Sequence, residues 1–364
     1  MPRKFRRVVT GRNSAGRSVV ISDGEPPGAI SVDAFGRAEL WSLPAAPLHP
    51  ESGGEHEKGE DDLEPRPGAI AWRVLRLAPA DQPQHPPREQ MERDPRFDAS
   101  RPGMHRTDTI DWITIFDGEI ELILDDDRVR LGPGDCVIQR GTWHAWRVLG
   151  ERDCVFGALM LRSVEGGDPS FAGVGPRTSE VRKDVGPRRV VTHRGANGRS
   201  VIVHDGEPAN TLRLEHGAGM AYSDIWQTLG PVISPAAGGD TPPGAFEFYA
   251  LGGGAAWKHM VIPPDADLAR ADADALAAEY AARAPGMATG GEHDPDRPGR
   301  HRTNSIDLVQ ILSGRITLLL DEDEVDLGPG DFAVQRGTWH AWSNRGDEPC
   351  VLQAMMVATQ RLTG

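Results

Sequence analysis

HRTDTIDWITIFDGEIELILDDDRVRLGPGDCVIQRGTWHAW, residues 105–146, is answered by HRTNSIDLVQILSGRITLLLDEDEVDLGPGDFAVQRGTWHAW, residues 301–342. The last eight residues, Gln139 to Trp146 and Gln335 to Trp342, are identical. Repetition at this length marks a duplicated unit. Two further pairs keep the same order: RRVVT at Arg6–Thr10 returns at Arg188–Thr192, and DGEP at Asp23–Pro26 returns at Asp205–Pro208. The chain therefore reads as a tandem duplication. Its halves are residues 1–162, with a core from about 69, and residues 186–364, with a core of about 246–360. The junction, 163–185, has the Gly, Pro and Ser content of a linker.

Within each unit the local pattern is β. EIELILDD and RITLLLDE are short apolar strands ending in acidic residues, and LGPGD supplies a turn before CVIQR or FAVQR. Strands of this length and spacing predict a small barrel or jelly roll in each half. Asp265 to Ala284, Ala-rich with an Asp-rich start, predicts one short surface helix in the second half. The prolines of the matching first-half stretch, 80–102, favour a loop there. Residues 46–68 read as a mobile polar loop. The RRVVTG and RSVVIS strands are expected to cover the edge of a neighbouring sheet, with the other half as one candidate neighbour.

Composition narrows the function. At 364 residues each half can bury its own core. A net charge of -14 argues against nucleic acid or an anionic membrane surface as partner. No window is apolar for the length of a membrane span, and the basic start runs into polar residues rather than a signal-peptide core. Cys136, Cys154 and Cys350 form neither a zinc pattern nor a paired framework, which suits buried thiols in the cytoplasm. Serine-hydrolase, phosphate-loop and dinucleotide-binding motifs are missing.

The chemistry sits in the duplicated stretch. With a period of two, His105, Thr107, Thr109, Asp111 and Ile113 share one face, as His301, Thr303, Ser305 and Asp307 do in the second copy. His144 alternates onto one face with Trp146, and His340 with Trp342. Trp112, Thr114 and their counterparts Leu308 and Gln310 fall on the opposite face, where packing between the two units explains their differences.

This arrangement resembles the cupin superfamily, and the doubling resembles a bicupin built from small HRTxT(I)D and QRGTxHAW-type units. The family's first motif places two histidines one residue apart, then a Glu, then a Gly seven residues later. Gly118 lies seven residues after Asp111, so Asp111 takes the Glu position, His105 the first His and Thr107 the second. Gly314, Asp307, His301 and Thr303 correspond in the second half. GDCVIQRGTWH and GDFAVQRGTWH match the second motif, one residue shorter than common.

The resemblance implies an all-β protein of two tandem double-stranded β-helix (cupin, RmlC-like jelly-roll) barrels. It also implies a metal site in one or both. His105, Asp111 and His144, with the twin set His301, Asp307 and His340, would form a two-His, one-carboxylate triad with open positions. Fe(II) is the favoured ion; Mn(II), Ni(II) or Zn(II) suit the same ligands. Fe(II) leads to an oxygenase acting on an aromatic or polyketide-like substrate. Trp146 and Trp342, with Trp143 and Trp339, read as a ring wall or as core filler. Gln139 and Gln335 read as substrate-orienting groups or as partners of the backbone at the barrel's bend, and Thr107 and Thr303 as substrate contacts.

Two alternatives stay open. In one, His144, Asp111, His340 and Asp307 act as acid and base in a lyase, isomerase, cyclase or decarboxylase without redox metal. In the other, the protein is a non-catalytic ligand-binding bicupin. The expected partners are a small-molecule substrate and, further, a second copy of the chain in a homodimer.

Overall fold

In a computed structural model, the structure describes residues 5–26, 30–32, 35–45, 48–54, 63–79, 88–162, 178–180, 186–195, 197–228, 246–250, 253–288 and 291–360. Two large sheets carry the architecture. One runs, in spatial order, through Thr178–Glu180, Ser200–Gly206, Arg189–Arg194, Cys136–Arg140, Thr109–Asp117, Cys154–Arg162, Ile70–Leu77, Phe35–Leu43 and Ile30–Val32. The other follows the same plan through Thr211–Arg213, Ala221–Thr228, Ala255–Ile262, Cys350–Ala358, Ser305–Ser313, Asp331–Arg336, Arg6–Arg12 and Ser18–Gly24. A three-stranded sheet completes each barrel: Ala145–Leu149, Glu119–Ile123 and Arg128–Leu131 in the first, and Glu324–Leu327, Ile316–Leu319 and Ala341–Ser343 in the second.

The halves exchange arms. Arg6–Arg12 pairs in parallel with Asp331–Arg336, Arg6 opposite Asp331 and Val9 opposite Val334. Arg189–Arg194 pairs in parallel with Cys136–Arg140 of the first half. Each arm covers a strand edge that would otherwise offer unpaired N–H and C=O groups. The buried guanidinium of Arg7 donates to the Leu40 carbonyl, and that of Arg189 to the Ile225 carbonyl.

Strand alternation separates the cores. On Thr109–Asp117, Ile113 and Ile115 point into the first barrel's own core, whereas Ile110 and Trp112 enter a cluster shared by both halves. That shared cluster includes Trp41, Trp72, Trp226, Trp257, Leu308 and Phe332. Trp112 stacks on Trp257 with centroids 5.8 Å apart and planes 13° from parallel. Within it, Gln353 Oε1 accepts from Thr114 Oγ1 at 2.7 Å, Gln310 Nε2 at 2.7 Å and Trp257 Nε1 at 3.2 Å. The differences at 112/308 and 114/310 thus lie between the barrels.

Several local expectations need correction. Asp265–Ala284 is not one helix: Asp265–Leu268 stops, and Ala273–Arg283 restarts where the Asp272 carboxylate caps the N–H groups of Asp274 and Ala275. The second helix is no mere surface ornament, since Leu276 and Tyr280 pack on the second barrel's core. In the first half, Arg88–Arg93 forms a short helix with Met91 buried, because the prolines of that stretch precede or follow it rather than interrupt it. The 46–68 stretch is anchored where it is described: Leu48 joins the core, Gly54 pairs with Ser42, and Glu64 is buried. Residues 46–47, 55–62 and 80–87 lie outside the described residues, as does the 163–185 junction except Thr178–Glu180.

Gly118 closes the turn after Asp117 with φ 75°, and a Cβ there would strike the Asp153 carbonyl and the Cys154 backbone. Gly314 repeats this with φ 71° against Pro349 and Cys350. Gly118→Ala is expected to destabilise the protein by more than about 1 kcal/mol, since backbone strain and a backbone clash coincide. Urea unfolding against wild type checks this, and an unchanged midpoint contradicts it.

Candidate active site in the first barrel

The strand ends bring the two histidines of each copy together. His105 and His144 exchange backbone hydrogen bonds of 2.9 Å in both directions, which sets their rings 4.3 Å apart. The Nδ1–H of His105 donates to the Gly103 carbonyl at 2.9 Å, and that of His144 to the Thr142 carbonyl at 2.9 Å. A carbonyl only accepts, so Nδ1 carries the proton and Nε2 keeps its lone pair. His301 and His340 repeat the arrangement at 4.4 Å, anchored on Gly299 and Thr338. Burial holds all four imidazoles neutral: it pushes His144 well below its ordinary range, His340 down to about 3, and His105 and His301 down as well.

In the first barrel these groups line a cavity of about 420 Å³. Its wall is mainly apolar, with Phe97, Trp146, Phe156 and Met160 among its residues; His105, Thr107, Asp111, His144, Arg37 and Arg73 supply the polar groups. Asp111 Oδ1 is buried without a hydrogen-bond partner. Burial lifts its carboxyl to about 7, only partly offset by the Thr109 hydroxyl. Asp307 differs. Ser305 Oγ donates to its Oδ1 at 2.5 Å and Thr303 Oγ1 to its Oδ2 at 3.2 Å, and burial lifts it only to about 6.

Among the described residues, no three His, Cys, Asp or Glu side chains are grouped so that they could hold an ion. Each barrel presents two inward imidazole nitrogens, which fit a metal, and a carboxyl that does not complete the set. The reason is local. Thr107 and Thr303 stand where a second imidazole would be; Thr107 instead bonds Thr109 at 2.6 Å. Asp is one methylene shorter than Glu, and the hydroxyls of Ser305 and Thr303 already engage Asp307.

Other expected contacts resolve individually. Gln139 is a bend residue rather than part of the cavity wall, because its Nε2 donates to the carbonyl and hydroxyl of Thr142. Gln335 is buried opposite Asp307, with no hydrogen-bond partner for its Nε2. Trp146 lines the cavity, whereas Trp342 packs on the second barrel's core. Arg106 lies over Trp143 and Arg300 over Trp339, at 5.1 and 4.6 Å from the ring centroids.

Sequence reasoning missed Arg73, which also lines the cavity. Arg73 Nε lies 2.6 Å from Glu39 Oε1, and both side chains are 3 % exposed. The signal was a charge inside the apolar run IAWRVLRL. The second barrel carries the same cross-strand pair as Lys258 and Asp224, 2.9 Å apart.

A family model described as Cupin domain matches residues 94–161 and 287–358, one stretch in each half. Two curated relatives from Diaporthe leptostromiformis, Phomopsin biosynthesis cluster proteins C' and D, are each 52% identical over 52 residues. The match spans 13% of this chain and only 28% of each relative's length. Among solved structures, AerE from Microcystis aeruginosa aligns with 91% of this chain and 97% of its own, at 10% identity and a TM-score of 0.42. An oxalate decarboxylase–formate complex from Lactobacillus farciminis aligns over 91% and 84%, at 11% identity and a TM-score of 0.39. No helix among the described residues is long and apolar enough to cross a membrane. The chain thus carries a Cupin domain match in each half, each on a jelly-roll barrel, and the two barrels are built on one plan.

Proposed function

We propose that the protein is a small-molecule enzyme whose first barrel performs acid–base chemistry on an apolar substrate, in the class of isomerisation, cyclisation, elimination or decarboxylation. The observation that carries this reading is Asp111: a carboxyl with an unpartnered oxygen, buried in an apolar cavity beside two imidazoles of defined tautomer. A carboxyl poised near neutrality can take a proton from a bound molecule and return it. The Nε2 lone pairs of His105 and His144 accept hydrogen bonds from substrate hydroxyls and orient them. Phe97, Phe156, Trp146 and Met160 exclude water and hold the apolar body. Because the described residues do not group three ligands, no step here runs through a metal.

A second reading keeps the divalent metal, with Fe(II) and oxygenase chemistry foremost. It is favoured by the histidine tautomers, since a ligand imidazole is held through its other ring nitrogen in this way.

The two readings separate by experiment. Wild type, Asp111→Asn and His144→Ala are incubated in D2O with a panel of apolar hydroxy- and keto-acids, and C–H exchange is followed by mass spectrometry; bound metal is measured in parallel. Acid–base function predicts exchange that falls about 100-fold or more in Asp111→Asn. Exchange indifferent to Asp111→Asn sinks the proposal, and stoichiometric metal that His144→Ala removes installs the second reading.

A further inference from the structure

Duplication lets the two copies be compared position by position at the seam where the barrels meet. In the first half, strand register sets Thr114 beside Gly157 and Gly157 beside Val74. The same positions in the second half hold Gln310, Gln353 and His259. Alternation along Ala255–Ile262 sends Lys258 and Met260 into the second barrel and turns His259 toward the first. There the two halves enclose a groove of about 1000 Å³, walled by Phe116 and Leu131 on one side and by Val261, Leu312 and Val351 on the other. Among the described residues, it shares no lining residue with the cavity of the first barrel. Gly157 leaves room for the polar row, since a Cβ there would come within 2.7 Å of the Phe116 ring and 3.3 Å of Gln310 Oε1.

The row fixes which way the His259 imidazole donates. An indole N–H is a donor only, and Trp257 Nε1 lies 3.2 Å from Gln353 Oε1. The amide nitrogen of Gln353 therefore faces the other way, donating to Cys136 Sγ at 3.1 Å and to His259 Nδ1 at 3.4 Å. Nδ1 accepts, so the ring proton sits on Nε2. Burial keeps the ring neutral by pushing its titration down to about 4. His259 is 9 % exposed, and among the described residues no group accepts from its Nε2. A donor largely withdrawn from water on an apolar wall gains most from a ligand that brings an acceptor. The groove offers no spare positive charge to an anion: Arg188 is held by Asp135 at 3.0 Å and by Asp205 at 2.6 Å, while Glu119 and Arg130, both exposed, carry opposite charges. We infer that the groove between the barrels binds a neutral apolar molecule through a carbonyl oxygen that accepts from His259 Nε2.

The test uses the full chain with 15N-labelled histidine and two probes of nearly equal shape, acetophenone and α-methylstyrene, in which a methylene replaces the carbonyl oxygen. Long-range 1H–15N spectra, with the His259 signals assigned by their loss in His259→Gln, read the tautomer and the binding together. The protein alone is expected to show the Nε2–H form, and acetophenone to shift those signals saturably. In titration calorimetry the ketone should bind about 5-fold more tightly than the hydrocarbon. His259→Leu should abolish that preference, while His259→Gln, which keeps a donor, should retain part of it. Circular dichroism checks the folding of each variant, and if His259→Leu does not fold, the wild-type tautomer and shifts still decide. A proton on Nδ1, His259 signals that acetophenone leaves unmoved, or a preference that survives His259→Leu overturns the inference. Shifts confined to the other histidines overturn it as well, and leave the acid–base reading of the first barrel standing.

Discussion

Trp112→Ala lowers the unfolding free energy by about 3–5 kcal/mol, the range for removing a large buried aromatic side chain. Trp112 is 1% exposed and lies in the cluster between the two large sheets. The loss is therefore felt where the halves meet rather than inside either barrel. Trp257 loses its stacking partner in the same step, so Trp112→Ala and Trp257→Ala combined should cost less than their sum by about 0.5–1.5 kcal/mol. The exchanged arms make a second point testable in the same titrations. Because Arg6–Arg12 completes the second barrel's sheet and Arg189–Arg194 the first's, the barrels are expected to unfold in one transition. Guanidinium titrations followed by Trp fluorescence and by far-ultraviolet circular dichroism check both statements. Two resolved transitions, or a loss below about 1 kcal/mol for Trp112→Ala, would show that the interface contributes little.

Asp111→Asn stabilises the protein at alkaline pH, by an amount on the order of 4 kcal/mol above pH 8. The sign follows from the direction of the change. Burial raises the folded-state carboxyl to about 7 from an ordinary value of 3.8, so the folded protein holds this proton more tightly than the unfolded chain does. The corresponding stability is fully present below about pH 4 and is lost as pH rises through 7. Asparagine cannot ionise and removes that loss. The gain over wild type should vanish at pH 3.5, where both side chains are neutral; the depressed histidines are common to both proteins and cancel. Asp307→Asn should gain less, because the Ser305 and Thr303 hydroxyls already favour its ionised form. Urea unfolding at pH 3.5 and pH 8 measures the difference. A carboxylate that instead binds a cation would reverse the sign at pH 8, so the experiment also weighs the metal-dependent reading.

Much of this protein was written into its sequence. Identical QRGTWHAW segments, period-two alternation through HRTDTIDWI and glycines placed for tight turns specify two like β units, since side-chain direction and backbone freedom are local properties. The same alternation put His105, Thr107 and Asp111 on the inward face and Trp112 on the outward one, as the cores now have them.

Tertiary structure decided the rest. The exchange of arms between halves depends on which open strand edge lies nearest, and no local pattern encodes that. Whether two histidines and a carboxyl converge depends on side-chain reach and on rival hydroxyl partners, which spacing does not measure. Arg37 and Arg73 line the cavity from strands distant in sequence from the histidines, so only folding brings them there. The aromatic cluster of the second barrel arises the same way: the helix carrying Tyr280 packs over Tyr222, and residues far apart in the chain meet there.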